Sequence, residues 1–303
     1  MNKGYKAPTA EMKELAFGVY AYLQPIGWFQ SNTGLIVGKK EAIVVDSLTN
    51  KAMAESFLSA IKKVTDKPVH FLINTHIHGD HTYTNHLFKD ALVITSSRCR
   101  EETKKLSPHE IELYKEAFPE MSFEGAKITP QDMTFEKALT FYQGERDIRL
   151  VCLGPGHSQS DTFVYLPKEK IVFCGDLLFV GLPAQTLMGC LSCQIQNLDV
   201  LASLDAKTYV PGHGLIAGKE AVYEFREYLV VLRDEARKCF DTGMSYDEAA
   251  KKVDLGRFKE WGHPELTLAN CARAYSEFRG ESPATELNVE EIWPKMVELI
   301  RQQ

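Results

Sequence analysis

Apolar residues along the chain follow two spacings, one suited to strands and one to helices. Residues 33–38 and 42–46 are short β-prone runs around Lys39-Lys40, which predicts a hairpin. Residues 15–23 read as one further strand. Met53, Phe57, Leu58, Ile61 and Val64 then fall at helical intervals, predicting a helix over 51–65 capped by Asn50. Strands follow at 69–73 and 91–95. Helices are expected at 97–105 and 108–118, the second with Ser107 as cap and Pro108 in its first turn. Strands resume at 133–135, 139–142 and 148–153, with 162–166 and 171–174 as a hairpin across 167–170, and a last strand at 208–210. Beyond Lys219 the pattern is helical. It predicts helices over 220–240, 245–253 (opening with a Ser245–Glu248 capping box), 265–278 and 289–300. We divide the chain into an α/β catalytic domain, 1–218, and a helical extension, 219–303, packed on it.

Chemistry gathers where strands end. The run 69–73 leads into Asn74-Thr75-His76-Ile77-His78-Gly79-Asp80-His81-Thr82, three imidazoles and a carboxylate within six positions. In extended backbone His76 and His78 project to one side and can share an ion, while Gly79 lets the chain turn so that Asp80 and His81 address a second position. Other strand ends carry His157 in a Gly-His-Ser context, Asp176 in Gly-Asp, and His213 in Pro-Gly-His-Gly. Seven ligand-type side chains divided between two ions make two sites of three ligands with one shared, open to water.

Composition narrows the field. The 303 residues are 44% hydrophobic and 25% charged, ordinary for a globular protein. A net charge of −6 and the lack of a dense Lys/Arg stripe argue against a nucleic-acid partner. Residues 1–14 are polar and no apolar run is long enough to span a bilayer, so the expectation is a cytoplasmic protein without membrane partners. Seven scattered cysteines fit reduced thiols, and Cys190-Leu191-Ser192-Cys193 reads as incidental loop or packing cysteines in a 181–194 loop overhanging the site. Cys174 is expected in the core beneath Asp176. His70, His86, His109 and His263 lack the strand-end context and read as surface or packing residues; Trp28, Phe29 and Phe179 are candidates for an apolar pocket wall, though aromatic residues more often form core.

The ordered set His-x-His-x-Asp-His, Gly-His-Ser, Gly-Asp and Pro-Gly-His-Gly resembles the metallo-β-lactamase superfamily over about residues 15–218. The resemblance implies a four-layer αββα sandwich with the site at one sheet edge. It implies a first metal on His76, His78 and His157, a second on Asp80, His81 and His213, and Asp176 between them. Zinc leads as the ion, with iron or manganese as possibilities. The implied chemistry is attack of a bridging hydroxide on a carbonyl, with Asp80 orienting the nucleophile. The helical tail, with Tyr275 to Gly280 as Tyr-x-Glu-Phe-x-Gly, resembles that of bacterial metallo-hydrolases linked to quinoprotein relay systems.

Departures from the family pattern shape the expected substrate. Asp176 stands where one β-lactamase class has a cysteine, and Phe179 where that class has a lysine for the drug carboxylate, so specialised β-lactam hydrolysis is disfavoured. Thr84 replaces a glycine before Asn85 and is expected to reshape the pocket wall. His78, in place of the glutamate of flavin-coupled diiron relatives, favours hydrolysis over oxygen reduction. The expected function is a dinuclear zinc hydrolase of an ester, lactone, thioester or β-lactam. The alternatives are a mononuclear iron persulfide dioxygenase, using His76, His157 and Asp176, and a sulfate or phosphate ester hydrolase. A third reading, a metal-bound scaffold without activity, is disfavoured by the intact ligand set. The expected partner is a small-molecule substrate, with a homodimer possible. The extension is expected to serve as cover for a sheet face, as a lid or as a dimer surface.

Overall fold

A computed structural model describes residues 10–283 and 285–302; the first nine residues of the polar N-terminal run lie outside it. The first sheet holds β1 (Glu11–Ala16), β2 (Val19–Leu23), β3 (Thr33–Val37), β4 (Ala42–Val45), β5 (Val69–Ile73), β6 (Leu92–Ser96) and β7 (Met133–Phe135), in that spatial order. The second holds β8 (Ala138–Gln143), β9 (Arg146–Gly154), β10 (Asp161–Leu166), β11 (Ile171–Phe173) and β12 (Thr208–Val210), in the order β12-β11-β10-β9-β8. The helices are α1 (Lys51–Val64), α2 (Gly79–Thr82), α3 (Ser97–Thr103), α4 (His109–Ala117), α5 (Leu191–Ser203), α6 (Lys219–Asp241), α7 (Tyr246–Lys252), α8 (Pro264–Phe278) and α9 (Val289–Arg301).

The layering follows from strand alternation. On β3, Ile36 points between the sheets with Ile43, Ile73, Leu150, Val164 and Phe173, while Leu35 points outward to Phe57 and Ile61 of α1. Both faces of such a strand are buried, so its sequence is a continuous apolar run. The sheets approach closely at Gly34, where a Cβ would press on the Phe173 ring at 2.6 Å. On the second sheet's outer face, Val172 and Tyr209 pack under Leu191 and Leu198 of α5 and Phe225 of α6. The result is helix, sheet, sheet, helix.

Direction of pairing puts the strand ends together. β4, β5 and β6 run parallel, as do β11 and β12, and parallel neighbours need crossovers: α1 joins β4 to β5, the segment with α2 joins β5 to β6, and α5 joins β11 to β12. The C-terminal ends of β5, β11 and β12 therefore emerge along one rim.

Three local expectations change. The single strand expected over 15–23 is a hairpin, because Gly18 at φ 70° turns the chain between β1 and β2. Pro108 is the N-cap of α4 rather than its first residue, with Ser107 Oγ accepting from His109 N–H at 3.2 Å. Cys190 and Cys193 form a disulfide across the first turn of α5, correcting the view of both as reduced thiols in a loop. The helix itself was missed; Leu191, Ile195, Leu198 and Leu201 have the spacing that marks it. Asn50 caps α1 and Ser245 with Glu248 closes a capping box on α7, as the sequence predicts.

Candidate metal centre

The rim brings all seven candidate side chains together. His76 and His78 leave the end of β5, Asp80 and His81 ride on α2, His157 sits between β9 and β10, Asp176 follows β11 and His213 follows β12. They form two clusters, His76, His78, His157 with Asp176, and Asp80, His81 with His213, whose ligand atoms lie within 4.8 Å of one another in each.

Distances show what holds each cluster. His78 Nδ1 lies 3.1 Å from His76 Nε2 and 2.8 Å from His157 Nε2. Asp176 Oδ2 is 3.0 Å from His157 Nε2 and 3.6 Å from His76 Nε2, while its Oδ1 is 3.1 Å from His81 Nε2. His213 Nε2 is 3.1 Å from Asp80 Oδ2 and 3.5 Å from Asp176 Oδ2. Asp176 therefore touches both groups.

Asp46, absent from the sequence-derived candidates, fixes the rings from behind. It ends β4 at φ 60°, its Oδ1 accepts Thr75 N–H at 2.7 Å, and its Oδ2 accepts both Thr75 Oγ1 at 2.8 Å and His81 Nδ1 at 2.8 Å. Thr75 Oγ1 also stands 3.0 Å from His76 Nδ1. With its own proton given to Asp46, that hydroxyl can only accept from His76. One buried carboxylate thus holds Nδ1 of a histidine in each cluster, directly or through Thr75, and turns both Nε2 atoms to the rim, the arrangement that metal-binding histidines require.

Charge follows the same division. Burial, with the neighbouring His81, holds His76 well below the usual imidazole range; burial, then His157, brings His78 down to about 3. These are neutral rings with converging lone pairs. Burial opposes charge on His81 and His213 too, but Asp176 and Asp80 outweigh it, lifting His81 well above the ordinary value and His213 to about 9. The acidic cluster calls for positive charge. His81 Nε2 and Asp176 Oδ1 face each other at 3.1 Å without good hydrogen-bond geometry, and His78 Nε2 and His157 Nδ1 are buried without a hydrogen-bond partner. Neutral nitrogens converging at about hydrogen-bond distance, orphaned ligand atoms and a carboxylate between the groups all fit divalent cations.

Supporting contacts come from helix α5, which the sequence did not reveal. Gln194 Nε2 donates to the carbonyls of Asp176 and Leu177 at 3.1 and 2.9 Å, and Asn197 Nδ2 to that of Pro155 at 2.9 Å. Asp161 accepts Ser158 N–H at 2.9 Å and Ser158 Oγ at 2.8 Å, tightening the loop that presents His157. Thr84 does not reach the pocket wall as expected; its Oγ1 accepts from Leu48 N at 2.9 Å behind the site. Cys174 is buried beneath Asp176, as expected.

Both clusters open into one pocket. Its walls include Trp28, Phe29, Phe179, Leu182, Leu266 and Trp293, with His263 and Gln185 among its polar groups. Phe179 stacks on His213 with ring centroids 5.0 Å apart. Leu266 and Trp293 come from α8 and α9, so the extension helps to build the pocket. His263, read from sequence as a surface or packing residue, lies in that wall. Among the described residues, no lysine or arginine lines it.

A two-sheet sandwich with a histidine and aspartate cluster at its rim is the architecture of the metallo-β-lactamase fold, whose motifs this chain carries. The chain matches the Metallo-beta-lactamase superfamily over residues 26–213 and belongs to it. It is 27% identical over 180 residues to the 2,4-dinitroanisole O-demethylase subunit alpha of Nocardioides sp. (strain JS1661), covering 59% of this chain and 51% of that protein. It is 22% identical over 262 residues to the linear primary-alkylsulfatase of Pseudomonas sp. (strain ATCC 19151), covering 73% of this chain and 49% of that one. The chain thus spans about half the length of these curated relatives. Among solved structures, the stereoselective inverting sec-alkylsulfatase from Pseudomonas sp. superposes with a TM-score of 0.70 at 14% identity, over 92% of this chain and 52% of the other. That superposition runs beyond the family match at residue 213 into the C-terminal helices. Among the described residues, no helix is long and apolar enough to cross a membrane.

Proposed function

We propose that the chain is a hydrolase holding two zinc ions, one on His76, His78 and His157 and one on Asp80, His81 and His213, with Asp176 between them. Its proposed substrates are small, uncharged, apolar esters, lactones or thioesters. Divalent ions held there would lower the pKa of bound water enough to supply a nucleophile at neutral pH and would polarise the bond attacked. Asp80 orients the attacking water through its carboxylate. Trp28, Phe29 and Trp293 hold the apolar part of the substrate and exclude bulk water, which strengthens every charge interaction at the rim.

The observation that carries this reading is a ligand-rich rim facing an aromatic wall that, among the described residues, has no lysine or arginine. An anionic group held against that wall away from the metal rim would lose hydration with no lysine or arginine to replace it. A second reading, hydrolysis of alkyl sulfates, is favoured by the superposition on a sec-alkylsulfatase over 92% of the chain.

The test is metal content by mass spectrometry on protein purified without added metal, alongside oxygen uptake. A panel of an aryl ester, a lactone, a thioester, a β-lactam, a primary alkyl sulfate and 2,4-dinitroanisole accompanies it. Two zincs per chain, with ester or lactone turnover lost in His76→Ala and Asp176→Ala, is the expected result. Turnover of the alkyl sulfate alone selects the second reading, and one iron with oxygen uptake overturns both in favour of a dioxygenase.

A further inference from the structure

His263 occupies an unusual backbone position. It stands at φ 59° and ψ 60°, immediately before Pro264 at the start of α8. A proline ring restricts the residue before it to extended backbone, and a left-handed residue other than glycine is itself uncommon. Such strain persists only where the surroundings enforce it, and it concentrates at functional sites.

Here the enforcing contact is a carboxylate. Glu265, whose side chain is 0% exposed, places Oε1 2.8 Å from His263 Nδ1, while the imidazole itself is 29% exposed. The ring stands edge-on to Trp28, with centroids 6.3 Å apart, and lines the same pocket as His78, Asp80, His157, Asp176 and His213. A carboxylate on Nδ1 fixes the proton there and leaves Nε2 as the nitrogen it does not engage. Tyr114 is the other titratable wall residue outside the two clusters, and burial pushes its hydroxyl well above the phenol range.

We infer that His263 is the proton donor to the leaving group, with Glu265 as the residue that positions it, and this rests on the hydrolase reading above. With Nδ1 held on the Glu265 carboxylate, the proton that the ring can give up is the one on Nε2. Water gives hydroxide to the carbonyl carbon and releases one proton. The bond from that carbon to the leaving oxygen breaks, its electron pair stays on the oxygen, and the Nε2 proton goes to that oxygen. The proton released from water then restores the ring. The sum is ester and water to acid and alcohol.

A donor matters only where the leaving group needs a proton, which separates this role from a structural one. The experiment uses two esters of one acid, a p-nitrophenyl ester with a good leaving group and an ethyl ester with a poor one. It compares the zinc-loaded wild type with His263→Asn, which tolerates a left-handed backbone, and Glu265→Gln. In His263→Asn, kcat for the ethyl ester is expected to fall by about 100-fold or more, with the p-nitrophenyl ester within about threefold and zinc content unchanged. Glu265→Gln is expected to show the same leaving-group dependence, less steeply. In the zinc-free protein, histidine nitrogen NMR is expected to show His263 protonated at Nδ1, a state lost in Glu265→Gln. Equal losses on both esters, no loss on the ethyl ester, or a ring protonated only at Nε2 overturns the assignment while leaving the hydrolase reading intact. A wild type inert to both esters overturns the two together.

Discussion

Asp46 Oδ2 lies 2.8 Å from His81 Nδ1, on the side of the ring facing away from the rim. The same carboxylate reaches His76 through Thr75, so its loss frees one ring in each cluster to rotate or change tautomer. Removal of a partner of this kind typically weakens metal binding by about 10–100-fold. Asp46→Ala is expected to show that loss in chelator competition, and the zinc-loaded variant is expected to melt below the wild type because less binding free energy is linked to folding. An unchanged zinc affinity would show that the contact is only packing.

Much of this centre is visible in the sequence because its residues carry their own punctuation. His76, His78, Asp80 and His81 are neighbours in the chain, and His157, Asp176 and His213 each follow an apolar run and adjoin glycine. A β-prone run ending in small residues signals a strand emerging at a rim, so convergence could be foreseen. Asp46 ends a strand too, but a lone aspartate beside Ser47 is what any turn contains. Gln194 and Asn197 belong to a helix whose apolar stripe, Leu191, Ile195, Leu198 and Leu201, is present in the sequence but begins inside the segment read as a loop. His263 is hidden for a different reason: its place in the pocket wall depends on where α8 packs, and nothing local in Gly-His-Pro-Glu records that. The layering was legible because strands buried on both faces read as continuous apolar runs.

Asp161 gives a pH dependence with a definite sign. Burial pushes its carboxyl up to about 6 from an ordinary 3.8, against the opposing pull of His157 and the Ser158 hydrogen bonds. The folded state therefore holds this proton more tightly than the unfolded chain does. Between about pH 4 and 6 the folded form binds more protons, so stability falls as pH rises through that window and levels off above it. A shift of about two units corresponds to at most about 3 kcal/mol. In urea unfolding, the stability of wild type relative to Asp161→Asn is expected to drop from pH 4 to pH 6.5. A difference that is flat or rises over this range would falsify the assignment.

The cysteines give a count that tests the disulfide. Cys99, Cys174, Cys239 and Cys271 are buried, and burial pushes the Cys99 and Cys271 thiols up to about 12. At pH 8 their thiolate fraction is on the order of 10⁻⁴, so they are unreactive on grounds of both access and ionisation. Cys152 on β9 is half-buried. With an aromatic disulfide reagent, the native protein is expected to show at most one reactive thiol. The chain unfolded without reductant should show five, and after reduction seven. Seven before reduction would mean that Cys190 and Cys193 are not joined.

Gly212 tests whether Asp176 must stand where the structure puts it. A Cβ on Gly212 would collide with Asp176 Oδ1 and press on the Gly175 carbonyl at 2.9 Å. The backbone cannot yield easily, because Gly212 N–H donates to Gly175 O at 2.8 Å and its carbonyl accepts from Asn32 N–H at 2.7 Å. The carboxylate is therefore the group that moves, and moving it removes the shared oxygen from both clusters at once. Since φ at this glycine is not in the left-handed region, alanine here meets a steric rather than a conformational obstacle. Gly212→Ala is expected to fold with a lowered melting temperature, to hold fewer than two zincs and to lose at least about 100-fold in turnover. Two tightly held zincs with wild-type turnover would show that Asp176 is not needed between the clusters in this position.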